Sequence, residues 1–245
     1  MRAKLLAGSE GVAAMVPNYL KNIVCVVVGF LCAAGYGGEL PDLVARLEKL
    51  DGKDLIHAAV HIEDRISGTQ EKESKPLEKA DLIITADANS LTLTISGELS
   101  NGRILREFSL LRAAGLAHYG PALVRELAGL ELVGTRPDSR QGIPCTRWHL
   151  KSEEKQSKFG MSSTTRRDVE LWIDADGYPV AASFKTQNQG KVLLFKFSSE
   201  SARQQRYERL GGRLILVLDK NETDVKSKAG DQKRTFTTTV EVKKD

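Results

Sequence analysis

The stretch Arg167–Ser198 reads RDVELWIDADGYPVAASFKTQNQGKVLLFKFS. Apolar and polar residues alternate on either side of Asp176-Gly177, and Gly177 supplies the positive φ that a tight turn requires. The pattern predicts one strand over Arg167–Asp174 and a second over Tyr178–Thr186. A further turn is expected at Gln189-Gly190, leading into a third strand over Lys191–Ser198.

The same pattern extends in both directions. Leu91, Leu93 and Ile95 alternate with Thr92, Thr94 and Ser96, as a half-buried strand does. Asn101-Gly102 is a strong hairpin signal, and Arg103–Leu111 reads as its returning strand. Gly211-Gly212 precedes the strand-like Arg213–Asp219, and the chain closes on alternation over Thr235–Val242. Strands joined by short glycine turns imply an antiparallel meander. The polar stretches 71–79, 152–165 and 224–233, rich in Lys, Glu and Ser, read as exposed loops.

Two segments break the strand pattern. Leu40, Leu43, Val44, Leu47 and Leu50 form one helical stripe, with Pro41 in the first turn and Asp51-Gly52 as the stop. Leu116, Tyr119, Leu123, Leu127 and Leu130 are also at helical spacing, and Gly120-Pro121 should break that helix in two. The expected fold is mainly β (α+β): a strongly curved antiparallel sheet or half-open barrel, because a long sheet must curl. The N-terminal helix and the broken central helix are expected to cover its concave face as a lid or plug.

The N-terminal part carries a different message. Lys21 precedes the apolar run Asn22–Gly37, NIVCVVVGFLCAAGYG, and small residues close it. A basic flank, an apolar core of ~7–15 residues and a small-residue exit make a secretory signal. The run falls short of the ~20 apolar residues that a spanning helix prefers. Gly8, Ser9, Glu10 and Gly11 interrupt any earlier apolar core, so Met15 is the expected start. Leu31 before Cys32 does not fit a lipid-attachment box. Residues 1–37 are thus read as extension and signal peptide, residues 38–245 as one β-rich domain, and the location as periplasmic.

Processing would remove Cys25 and Cys32 and leave Cys145 alone, so no internal disulfide forms in the mature chain. The chain's net charge is +4. The first 37 residues hold three basic residues against one acidic, which leaves the remainder near +2. That charge lacks the clustered basic footprint of a nucleic-acid binder.

Catalytic signatures are missing. There is no G-x-S-x-G elbow, H-E-x-x-H, C-x-x-C, Walker loop or G-x-G-x-x-G. His57 and His61 could share a metal on a helix, but IHAAVHIEDRIS reads as strand. There they stand about 13 Å apart at ~3.3 Å per residue, too far for one ion. Asp174-Ala-Asp-Gly177 begins like a calcium loop, but Tyr-Pro-Val follows where ligands are needed, so it is read as a turn. His118 and His149 are read as surface or rim residues. Neither catalysis nor any cofactor or metal is expected.

The segment Glu170–Val180, ELWIDADGYPV, resembles the strand, turn, Pro-Val, strand signature of the LolA/LprG-like superfamily of periplasmic lipoprotein carriers. Leu132-Val-Gly134 and Gly142–Leu150 are similar to the strand pair that precedes that signature. The resemblance implies a half-open barrel with a helical lid over an apolar cavity, binding lipids or lipoprotein acyl chains. Gly115, Gly120 and Pro121 are candidate hinges.

The expected lining combines strand alternation with the lid stripe: Leu91, Leu93, Ile95, Phe108, Leu116, Tyr119, Leu123, Leu127, Trp148, Trp172, Phe184 and Phe195. The alternative is a structural or sensor domain that binds a periplasmic or membrane protein through a sheet edge or the lid. A continuous apolar tunnel favours lipid. A cavity filled by Trp148, Phe184 and Phe195 favours a protein partner.

Overall fold

A computed structural model describes residues 39–68, 77–96, 104, 108–158, 161–192, 195–227 and 230–243, with backbone alone at 158, 161, 192, 195, 227 and 230. The expected signal run, Met15, Cys25, Cys32 and the Asn101-Gly102 turn lie outside the described residues.

The described chain opens with helix α1 (Glu39–Glu48) and strands β1 (Ile56–Gly68), β2 (Glu78–Ala86) and β3 (Leu91–Ile95). Helices α2 (Leu110–Ala117) and α3 (Gly120–Leu127) follow. Seven strands complete it: β4 (Glu131–Arg140), β5 (Ile143–Lys158), β6 (Met161–Ile173), β7 (Pro179–Val192), β8 (Phe195–Leu210), β9 (Arg213–Ser227) and β10 (Gly230–Val242).

All ten strands form one antiparallel sheet in the order β3-β2-β1-β10-β9-β8-β7-β6-β5-β4. The sheet stays open, because its edges β3 and β4 do not pair with each other. The chain leaves β3 at one edge and resumes in β4 at the other. The connection between them carries α2 and α3, so topology alone lays these helices across the sheet. α2 packs on β2, β3 and β9, and α3 packs on β9 and α1.

Period-two burial shows which face they cover. β2 alternates buried and exposed along EKADLIITA, with Ala80, Leu82 and Ile84 inward. Ile56, Ala58, Val60 and Ile62 do the same on β1. The register Trp148↔Leu171↔Ala182 puts β5, β6 and β7 residues on that face too. Leu43, Leu47, Leu116, Leu123 and Leu127 join them in one apolar cluster. Between Arg206 and Tyr207 of β8 the register with β9 shifts past Val217, and five consecutive residues of β9, Arg213–Val217, are buried instead of alternate ones. An extra residue of this kind re-aims its neighbours.

Several turns match expectation. The hairpin between β6 and β7 closes through Gly177 at φ 80°, with the Asp174 carboxylate accepting from the Tyr178 amide at 2.8 Å. Arg46 of α1 donates to the Asp176 carbonyl at 3.0 Å. The same guanidinium would stand 2.9 Å from a Cβ at position 177, so glycine also makes room for α1.

Three expectations need correction. Gln189-Gly190 is not a turn: β7 runs through it to Val192, and Gly190 pairs with Phe197 of β8. A Cβ there would lie 2.5 Å from the Phe197 ring and 2.8 Å from the Ser162 carbonyl, so this glycine serves close packing inside a strand. The stretches 152–165 and 224–233 are not loops but mostly the outer lengths of β5, β6, β9 and β10. Their polar composition reflects strands exposed to water, where alternation carries no apolar signal. The end of the strand expected over Arg103–Leu111 is helix instead, since Ser109 caps α2 by accepting from the Arg112 amide at 3.3 Å.

Candidate functional site

The expected lining residues separate by position. Phe108, Leu116, Tyr119, Leu123, Leu127, Trp148 and Phe184 are buried together in the main cluster beneath the helices. Leu91 and Leu93 pack partly buried against it from the edge strand. Ile95, at the end of that strand, is 47% exposed. Trp172 pairs with Arg147 and Ala181, one residue out of phase with Trp148, and so lies on the opposite face. There it forms a small cluster with Cys145 and Ala181. Arg140 stacks on its ring at 4.5 Å, and its Nε1 donates to Asp138 at 3.0 Å. The side chain of Phe195 lies outside the described residues.

The interior beneath the helices is therefore filled, from the sheet by Trp148, Leu150, Val169, Leu171 and Phe184 and from the helices by leucines. The Tyr119 amide, between α2 and α3, donates to the Leu214 carbonyl of β9 at 2.6 Å. This bond seats the helix junction on the centre of the sheet.

A polar network that the sequence did not reveal ties α3 down. Arg203 of β8 donates to Asp219 of β9 through Nε at 2.5 Å and Nη2 at 2.9 Å. Its Nη1 donates to Glu126 of α3 at 2.5 Å, and its Nη2 to the Tyr119 hydroxyl at 3.1 Å. That hydroxyl donates to Glu126 at 2.6 Å. The Gln205 amide lies between the Tyr119 and Tyr207 hydroxyls, and the two tyrosine rings stack 5.8 Å apart. Arg167 of β6 donates to the Glu126 and Ala128 carbonyls, completing the C-terminal end of α3. Burial holds both tyrosine hydroxyls well above the ordinary tyrosine range. The carboxylates around Arg203 keep its guanidinium charged despite its burial.

Beyond the helices the character of the inner face changes. A hollow of about 490 Å³ there is lined by Arg112, Arg203, Asp219, Asn221, Arg234 and Phe236 among others. Arg112 stacks on Phe236 at 4.4 Å, and Arg234 holds Asp64 through two bonds of 2.9 Å. Such a surface suits polar groups rather than a hydrocarbon chain.

The histidines sit apart. His57 bonds to the Thr85 hydroxyl at 3.1 Å, His61 to Asp81 at 2.7 Å and His149 to Asp168 at 3.1 Å. No group of three metal-ligating side chains occurs among the described residues. No described helix is long and apolar enough to cross a membrane.

Fold and site together define an open antiparallel sheet with its helices gathered over an apolar face. No family model matches the chain, and no curated protein matches it.

Proposed function

We propose that this chain is an exported, non-catalytic binding module that carries a lipid or lipoprotein acyl chain on a half-open, curved sheet, with α2 and α3 as its lid. One observation carries the reading. The side chains that fill the interior come partly from a short helix pair whose removal would open an apolar face on β1, β2, β5, β6 and β7, beside the polar Arg203, Gln205 and Asp219. Leu116, Leu123 and Leu127 occupy the volume that hydrocarbon would take. An acyl chain gains ~0.8 kcal/mol per CH₂ withdrawn from water, so roughly two to four methylenes offset each displaced leucine. The ties through Glu126 act as the latch. The resemblance of Glu170–Val180 to the periplasmic lipoprotein carriers supports the same reading.

A second reading rests on a specific observation as well. Trp148 and Phe184 are buried in the interior, the arrangement favoured for a structural or sensor domain that binds a protein partner.

The two separate by lipid uptake. Native mass spectrometry of the exported protein, with titration of a fluorescent long-chain fatty acid, is expected to show bound lipid. The substitution Glu126→Gln weakens the latch and is expected to speed uptake several-fold. Absence of co-purified lipid, together with no fatty-acid binding by wild type or E126Q, would sink the carrier reading and leave the protein-partner one.

A further inference from the structure

A second hollow, about 360 Å³, lies between the end of β2 and the outer side of α2 and α3. Leu91, Leu111, Ala114, Pro121 and Ala122 form an apolar part of its wall, and Asp87, Ser90 and Arg125 also line it. Arg213, the first residue of β9, lines it as well. Only 3% of Arg213 is exposed. Its Nε donates to the Asp54 carbonyl at 2.5 Å and its Nη2 to the Asp87 carbonyl at 2.9 Å. It forms no ion pair among the described residues.

The nearby carboxylates are committed elsewhere. Asp87 accepts from the Asn89 and Ser90 amides, both at 2.7 Å, and from the Ser90 hydroxyl at 2.8 Å. Asp54 accepts from the Gly212 amide at 2.5 Å. Asp51 pairs with Lys53 at 3.3 Å. These groups act on Arg213 only through space, and burial outweighs them, lowering its pKa. A guanidinium has five N–H donors, and two are used here. The rest are both N–H groups of Nη1 and one of Nη2, and one N–H from each of those nitrogens can meet the two oxygens of a carboxylate.

Beside it, His118 lines the same hollow, and its buried Nδ1 has no partner. The His118 ring is held in place by Gly52, where a Cβ would stand 2.9 Å away at φ 64°. Burial and the Arg213 charge keep this imidazole neutral, so one of its nitrogens is available as a donor. At the rim Leu111 is 83% exposed, a large apolar side chain without cover. A buried cation without a direct ion pair is costly. Placed beside an orphaned imidazole nitrogen and an uncovered apolar wall, it defines the complement of one kind of molecule.

We infer that this hollow binds a small organic carboxylate with an aliphatic body, the carboxylate on Arg213 and His118 and the aliphatic part against Leu111, Ala114 and Ala122. The site is outside the interior beneath the lid and does not depend on the acyl-carrier reading.

Isothermal titration with octanoate, 1-octanol and inorganic phosphate tests it, with NMR of the Arg213 Nε–H resonance as a local readout. Octanoate is expected to bind at least tenfold more tightly than either comparison ligand and to shift that resonance. Leu111→Glu, at an exposed position, should weaken octanoate at least tenfold without altering the circular dichroism spectrum. Arg213→Gln should remove the preference for octanoate over octanol, and Leu111→Glu keeps the test decisive if that variant does not fold. Equal binding of octanoate and octanol, tighter binding of phosphate, an unmoved Arg213 resonance, or undiminished affinity in L111E would each overturn the inference.

Discussion

Replacing Arg203 by Met should cost far more stability than the loss of an ordinary surface ion pair. Asp219 is 7% exposed at its side chain, and the only side-chain hydrogen bonds to its carboxylate among the described residues come from Arg203, at 2.5 and 2.9 Å. Glu126, 24% exposed, would keep the Tyr119 hydroxyl but lose its cation. Breaking a fully buried pair from one side costs about 3–5 kcal/mol, because the remaining charge is stranded. Arg203 itself is 28% exposed, so water reaches part of the network. The expectation for R203M is therefore about 2–4 kcal/mol, read as a shift in the urea midpoint at unchanged slope. If stranded charge is the cause, Asp219→Asn in the same background should restore part of the loss. The double variant should cost at least about 1 kcal/mol less than the two single costs added together. A loss below about 0.5 kcal/mol for R203M, the range of exposed pairs, or strict additivity would refute the argument.

Three other outcomes follow from the same geometry. Gly190→Ala forces a Cβ to 2.5 Å from the Phe197 ring, and should destabilise by about 1–3 kcal/mol in thermal unfolding, with Phe197→Leu recovering part of it. Gly211→Ala puts a side chain at φ 54° and its Cβ 2.2 Å from the Asp54 carboxylate, so a loss of about 1–3 kcal/mol in urea unfolding is expected. Tyr119 and Tyr207 hold their protons more tightly folded than unfolded. Above the unfolded value of about 10 the unfolded chain therefore binds fewer protons, and stability should fall as pH rises toward the folded values. Absorbance titration should show these two tyrosines ionising only as the protein unfolds, and their ionisation in the folded state near pH 10 would contradict the assignment.

Much of the sheet was legible because several of its strands alternate along their length. β1, β3 and the hairpin through Gly177 needed only a period of two and a turn residue. The broken helix was legible from its stripe and from Gly120-Pro121, since proline starts a helix readily and interrupts one poorly. Where both faces of a strand meet water, as in 152–165, polarity is uniform and the strand looks like a loop. Gly190 misled for a related reason: a glycine admitting a neighbouring ring resembles one that turns the chain.

The candidate sites were less legible. Trp148 and Trp172 both looked like lining residues, and one step of pairing register sends them to opposite faces. Arg203, Glu126 and Asp219 are separated by 77 and 16 residues in the chain, and no local pattern links them. Arg213 and His118 carry no motif either.

By itself, the sequence determined a β-rich chain with few amphipathic helices, because periodicity and turn chemistry act over neighbouring residues. Only the tertiary structure decided that β3 and β4 lie at opposite edges, so that their connection must cross the sheet. It also decided which charges end up paired beneath that crossing, and that Arg213 forms no ion pair among the described residues. Those outcomes depend on contacts between distant segments, where burial sets the cost of each unpaired group.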